Sequence, residues 1–139
     1  MWGGMGGQGI ASDISGTKTQ YAGGGQGSSG MLWACTHSQA SFSGLGAASC
    51  GGGGVSGLPN ACNAARNGTA GTAYGAGGGA AGGGASGGTG GAGYQGVVII
   101  RYPQNFKLAA STTGSPTLTN VNGFNIYTWT STGSGSITF

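Results

Sequence analysis

Apolar and polar positions alternate in only a few short stretches of this 139-residue chain. Residues 9 to 22, GIASDISGTKTQYA, hold two short β-prone runs around Ser15-Gly16. Glycine there supplies the positive φ of a tight turn, so the pattern predicts a hairpin with strands near Ile10 to Ile14 and Thr17 to Tyr21. Gly96-Val97-Val98-Ile99-Ile100-Arg101-Tyr102-Pro103 is a continuous β-branched run ended by proline, the signature of a buried strand. Beyond it, residues 104 to 139 are rich in Thr, Ser and Asn, and Asn122-Gly123 marks a second hairpin. Alternation then places Phe124, Ile126, Thr128 and Thr130 on one face of a strand and Asn125, Tyr127 and Trp129 on the other. A last turn at Gly133-Ser134-Gly135 leads into Ser136 to Phe139. The result is a small antiparallel β unit that closes a fold or offers an edge for assembly.

Between these stretches the period is three. Sorting residues 75 to 94 by position modulo three, the register that starts at Gly75 is glycine at six of seven places, with Ala81 the exception. The register that starts at Ala76 is glycine at four of seven, and the third carries most of the small side chains. Three residues per turn, with no internal hydrogen bonds, is the geometry of the polyproline II helix. A nearly side-chain-free edge lets neighbouring backbones approach until each N–H and C=O pairs across, with Cα–H···O contacts assisting. Collagen shares the period but requires strict Gly-X-Y with abundant proline, and only Pro59, Pro103 and Pro116 occur. A flexible linker tolerates the same composition. The fold class expected is irregular and all-β: a bundle of polyglycine II helices flanked by short strands and hairpins, with no α-helix. Its domains would be a glycine-rich one over 1–103, closed by the strand at 96–102, and a Thr/Ser/Asn-rich β unit over 104–139.

Composition sharpens this picture. Glycine accounts for 37 residues, a content that ordinarily signals disorder. Charged residues make up only 4%, however, so no self-repulsion holds the chain open. Large aliphatic and aromatic residues sit mostly toward the two ends, leaving main-chain hydrogen bonding to offset the entropy lost in ordering glycine. The net charge of +3 reflects a single acid, Asp13, against Lys18, Arg66, Arg101 and Lys107. Those cations are dispersed and read as scattered surface charges, which argues against nucleic acid as a partner. No apolar run reaches ~18 residues and no basic-then-apolar leader follows Met1, so neither membrane insertion nor a secretory signal is expected. The opening Met1-Trp2-Gly3-Gly4-Met5 reads as the interior of a glycine-rich region, packed against a neighbouring copy, another protein or the rest of a longer assembly.

The chemistry-bearing residues are sparse. One carboxylate excludes paired-carboxylate catalysis and any Ser-His-Asp triad that does not use Asp13. Cys35 and His37 lie two apart without a third orienting group, and matches to GxGxxG follow from glycine abundance rather than from a strand opening into a helix. No enzyme activity and no cofactor are expected. Cys35, Cys50 and Cys62 leave one thiol unpaired in any arrangement. Free small-hydrophobe cysteines are the first reading, a Cys50 to Cys62 disulfide the second and a metal site the third, since no CxxC pair and no second histidine occur. Aromatic residues are the better candidates. Trp33, His37 and Phe42 in the non-repetitive stretch 31 to 43, with Tyr74, form a candidate contact surface, because aromatic faces supply binding area at low entropy cost. Ser38 and Gln39 beside His37, and Asn60 in the loop punctuated by Leu58-Pro59, join them as solvent-facing loop residues. The alternative is that Leu32, Trp33 and Phe42 only cap the ends of glycine helices as a local mini-core.

The stretch GIASDISGTKTQYAGGG, the long glycine field after it and the closing GGTGGAGYQGVVIIRYP resemble the glycine-rich domains of bacteriophage tail proteins. The ending FNIYTWTSTGSGSITF is similar to the tyrosine-threonine-aromatic segment that often follows them. Closest in function would be the distal tail-fibre adhesins of T-even-type phages, in which polyglycine helices form a sandwich and the loops between glycine motifs bind the bacterial surface. By that likeness the loops near 31 to 43 and 55 to 68 would face the receptor. This chain departs from those adhesins in its short length and in the β-rich tail after VVIIRYP.

The resemblance implies a non-enzymatic component of a phage tail fibre or tip, located in the virion and homo-oligomeric. Its expected partners are a bacterial surface receptor, protein or glycan, and other virion proteins. A purely structural subunit of an extracellular filament or a capsid decoration is the alternative. An ice-binding protein is the distant one, since the spacing of Ala80, Ser86, Thr89 and Ala92 is only modestly regular.

Overall fold

The computed structural model describes residues 4–27, 67–81 and 88–139. Among them are seven short β-strands and no α-helix. The strands are β1 (Ile10–Ser12), β2 (Thr19–Tyr21), β3 (Val98–Pro103), β4 (Ser111–Thr112), β5 (Thr117–Val121), β6 (Phe124–Trp129) and β7 (Ile137–Thr138). The chain divides into two compact units, one formed by Met1–Ala11 with Gln20–Gln95 and the other by Ser12–Thr19 with Gly96–Phe139. Strands β1 and β2 pair as the hairpin that the sequence predicts. Gly16 makes its turn, with φ +91° and its N–H donating to Asp13 O at 2.8 Å.

In the glycine-rich unit, main-chain hydrogen bonds join segments far apart in sequence, and the donors recur every third residue. Gly24 and Gly27 donate to Gly7 and Gly4, so segments 22–27 and 4–7 run antiparallel. Gly77 and Ala80 donate to Gly23 and Gln26, a parallel pair. Gly68 and Gly71 donate to Thr89 and Ala92, again parallel, and Gly91 and Tyr94 donate to Gly79 and Ala76, antiparallel. Gly79 adds a bond to Thr69 O at 2.9 Å. An antiparallel β ladder uses every second residue of a strand toward one neighbour; here the interval is three. Segment 76–80 is bonded to three neighbours at once, namely 22–27, 67–71 and 88–95, whereas a strand in a sheet has two. Burial repeats at the same interval, at Gly23 and Gln26 and at Ala76 and Gly79.

Such proximity leaves no room for side chains at the crossing points. A Cβ at Gly25 would overlap the Gly78 carbonyl, and one at Gly78 would overlap that of Gly91. Ala76, 2% exposed, is the buried hydrophobic residue of this unit among those described. Among the described residues the backbone is the main material of its interior.

The second unit is built on side chains. Strands β3, β6 and β5 form an antiparallel sheet in that order, with Val98 opposite Trp129, Ile100 opposite Tyr127 and Leu118 opposite Tyr127. The β5–β6 turn has both central residues at positive φ, Asn122 at 51° and Gly123 at 79°, the I′ geometry that Asn-Gly favours. Asn125, Ile126 and Tyr127 are 3%, 1% and 5% exposed, so three successive residues of β6 are buried and both faces of the sheet are covered at its centre. On the Ile126 face lies the 12–19 turn: a Cβ on Gly16 would stand 2.9 Å from Val121 Cγ1, which adds a steric reason for glycine to its positive φ. On the Tyr127 face lie the segments flanking the two-stranded ribbon β4–β7. The Ala109 N–H donates to the Tyr127 hydroxyl at 3.2 Å, and Trp129 Nε1–H donates to Thr113 O at 2.8 Å. The sequence signals a turn at 133–135; the structure adds that the strand after it pairs with Ser111–Thr112.

Arg101 departs from the reading of its charge as a scattered surface cation. Its Nη1 donates to Asp13 O at 2.8 Å and lies 3.6 Å from the Asp13 carboxylate. Its guanidinium also sits 3.8 Å from the Phe124 ring centroid. The Asp13 side chain is 79% exposed, so the ion pair itself contributes little. The cation–π contact and the carbonyl bond make Arg101 a clamp between the 12–19 turn and the sheet.

Candidate functional site

Of the seven residues that the sequence singles out, Trp33, His37, Ser38, Gln39, Phe42 and Asn60 lie outside the described residues. Tyr74 is described. It occupies a turn in which the Ala76 N–H donates to Ala73 O at 2.9 Å and Gly75 takes φ +74°. Positive φ at that point lets the chain reverse into segment 76–80. The Tyr74 carbonyl accepts the Ala22 N–H at 2.9 Å, which anchors the turn to segment 22–27.

The half-buried Tyr74 ring meets Tyr94 edge-on, with centroids 5.7 Å apart and planes inclined by 66°. That geometry places a positive ring edge against a negative face and adds to the area buried. Tyr94 remains 44% exposed. Main-chain bonds fix the positions of both residues: Gly75 N–H to Gln95 O at 2.8 Å and Tyr94 N–H to Ala76 O at 2.8 Å. Aromatic surface at Tyr94 is thus exposed at a fixed main-chain position. The sequence names Tyr74 and misses Tyr94. The signal was present, because Tyr94 stands where the modulo-three register that starts at Ala76 gives way to a large side chain.

No protein-family model, curated protein or solved structure matches this chain. The site is therefore read from its chemistry alone. Among the described residues no three His, Cys, Asp or Glu side chains converge as metal ligands, and no helix is long and apolar enough to cross a membrane.

The C-terminal unit holds a second aromatic group that the sequence analysis did not single out. Tyr102 stacks on Tyr127 with centroids 6.1 Å apart, Tyr127 stacks on Trp129 at 6.2 Å, and Phe139 packs edge-on to Tyr102 at 5.2 Å. Positions 102, 127 and 129 share one face because Tyr102 lies opposite Asn125 and alternation carries that face to 127 and 129. The Tyr102 hydroxyl oxygen is closed off from solvent without a hydrogen-bond partner. Burial, followed by the adjacent Tyr127 phenol, raises its pKa above the ordinary tyrosine value. Within this group Tyr127 is buried, Tyr102 and Trp129 are half-buried, and Phe139 is exposed at the end of the chain. The Tyr74–Tyr94 pair, with Tyr94 44% exposed, is the recognition candidate that contains a residue singled out by the sequence.

Proposed function

We propose that the chain is a structural and adhesive component of a bacteriophage tail fibre or tail tip, a bundle of polyglycine II helices that displays loops to a bacterial surface. The observation that carries this reading is segment 76–80, hydrogen-bonded to three neighbours by donors that recur every third residue. Three-fold helices project N–H and C=O groups in three directions, whereas a strand projects them in two. A bundle of that kind is stiff because its bonds run between backbones, and it commits few side chains to its interior. Side chains between the glycine segments are then free to serve recognition. In this reading the loops near 31 to 43 and 55 to 68 contact the receptor, a protein or a glycan, and Tyr74 with Tyr94 adds an aromatic face.

The experiment is binding of the purified chain to intact bacteria, compared with a variant in which residues 36 to 41 are replaced by Gly-Ser. Binding by the native chain that is lost in the variant, with unchanged thermal unfolding, supports the adhesin. Absence of binding to every candidate host would sink it. A purely structural subunit of a filament or capsid decoration is the second reading, favoured by the open sheet edge in the C-terminal unit.

A further inference from the structure

The three-stranded sheet has two outer edges, and they differ. β3 carries a charged residue, Arg101, and ends at Pro103, two features that discourage another strand from adding. β5, Thr-Leu-Thr-Asn-Val, contains neither charge nor proline, and four of its five residues are exposed.

The direction of its free groups follows from the ladder. Gln104 N–H donates to Gly123 O, so toward β3 the strand β6 uses odd-numbered residues, and its even-numbered ones, 124, 126 and 128, face β5. The two-residue I′ turn requires the same parity, since the residues flanking it, Val121 and Phe124, form a hydrogen-bonded pair. Thr117, Thr119 and Val121 therefore point their main-chain groups inward to β6. Leu118 and Asn120 point theirs outward, and among the described residues these meet no backbone partner.

We infer that β5 pairs antiparallel with β5 of a second copy of this chain, about a two-fold axis through Thr119, to make a continuous six-stranded sheet. In that register Leu118 of one copy lies opposite Asn120 of the other and the reverse. Two hydrogen-bonded pairs then satisfy all the outward N–H and C=O groups of both strands. The two Thr119 residues face each other as a non-hydrogen-bonded pair, the arrangement in which side chains come closest and Thr–Thr contacts stabilise. A shift by one residue would place inward-pointing groups opposite outward ones, so parity excludes it. Absence of charge on β5 removes the repulsion that a two-fold axis imposes when like residues meet. The pairing uses the C-terminal unit alone and holds whether or not the loops bind a host.

The test uses the full chain. Light scattering behind size-exclusion chromatography is expected to show the mass rising from one copy toward two with concentration. Asn120→Pro deletes an outward N–H and leaves the β5–β6 ladder intact, and is expected to weaken the dimer about tenfold or more. Under mild oxidation Thr119→Cys should give a disulfide joining the two substituted positions, located by peptide mass spectrometry, since Cα atoms of such a pair stand about 4.5 Å apart. Thr117→Cys should not, because the two positions are then separated by about 13 Å. Four outcomes would each overturn the inference: a chain monomeric to its solubility limit, a dimer that Asn120→Pro leaves intact, failure of Thr119→Cys to cross-link, or cross-linking at 117 as efficient as at 119. Loss of host binding with an intact dimer leaves this inference standing and overturns only the adhesin.

Discussion

The two units solve the same problem with different materials. In the C-terminal unit the centre is Ile126 and Tyr127, large side chains whose removal from water drives folding at about 25 cal/mol per Å². In the glycine-rich unit the buried positions among the described residues are Gly23, Gln26, Gly71, Ala76 and Gly79, which offer almost no apolar area. Among those residues main-chain hydrogen bonds to three neighbours, each worth about 1 kcal/mol net, do what side-chain burial does in the other unit. A side chain is thus an asset in one unit and an obstruction in the other, and substitutions of opposite kind should break them.

The largest effect is expected for Ile126→Ala, which should destabilise the C-terminal unit by about 3–4 kcal/mol through lost burial and an unfilled cavity. Hydrogen exchange of the β6 amides would register it. Reversing the chemistry, Gly78→Ala adds one methyl where the Gly91 carbonyl stands, and a cost of about 2–3 kcal/mol is expected from denaturant unfolding. Its control is Gly4→Ala, where a Cβ meets nothing within 4 Å and the change should stay within about 0.5 kcal/mol. Equal effects at positions 78 and 4 would remove the steric basis of the comparison. Trp129→Phe keeps a ring on the sheet but loses the Nε1–H bond to Thr113 O, an expected loss of about 1 kcal/mol in thermal unfolding.

The smallest effect depends on pH. The Tyr102 pKa is raised in the folded chain, so the neutral phenol is favoured by folding. Its contribution is fully present below the unfolded value of about 10 and is lost as pH rises from there through the folded value. Tyr102→Phe should therefore flatten the alkaline fall in stability above about pH 10. Because the hydroxyl has no partner, the substitution should leave stability at neutral pH unchanged or slightly raised.

Local signals in the sequence proved sound where one residue type meets one geometric demand. Gly16 and Asn122-Gly123 take the positive φ that their turns require, and the run at 98–103 is a strand, though a half-buried one with Val98 59% exposed rather than the buried strand expected. Pairing was less legible. The β-branched run declares a strand without naming β6 as its neighbour, and Ser111–Thr112 gives no sign of meeting Ile137–Thr138 across 25 residues. Arg101 looks like any isolated cation until Asp13 and Phe124 are brought beside it. In the glycine segments the period of three was visible from 75 to 94, but the parallel or antiparallel sense of each pair was not, since glycine offers no side chain to mark direction. Tyr94 is hard to single out because an aromatic within a repeat looks like an interruption of it.

The hydrogen bonds of segment 76–80 have a consequence for how such a chain can change over generations. Each segment is held by its neighbours through main-chain groups, so its ends stay in place whatever joins them. Residues 8 to 21, which connect two antiparallel segments, already carry a complete hairpin as such a connection. Doubling the length of a connection adds only about 0.6 kcal/mol of closure entropy. Lengthening a connection is therefore inexpensive for folding, provided that residues packed elsewhere, as Gly16 is on Val121, are kept. Sequence can drift quickly at those places while the lattice beneath them stays fixed.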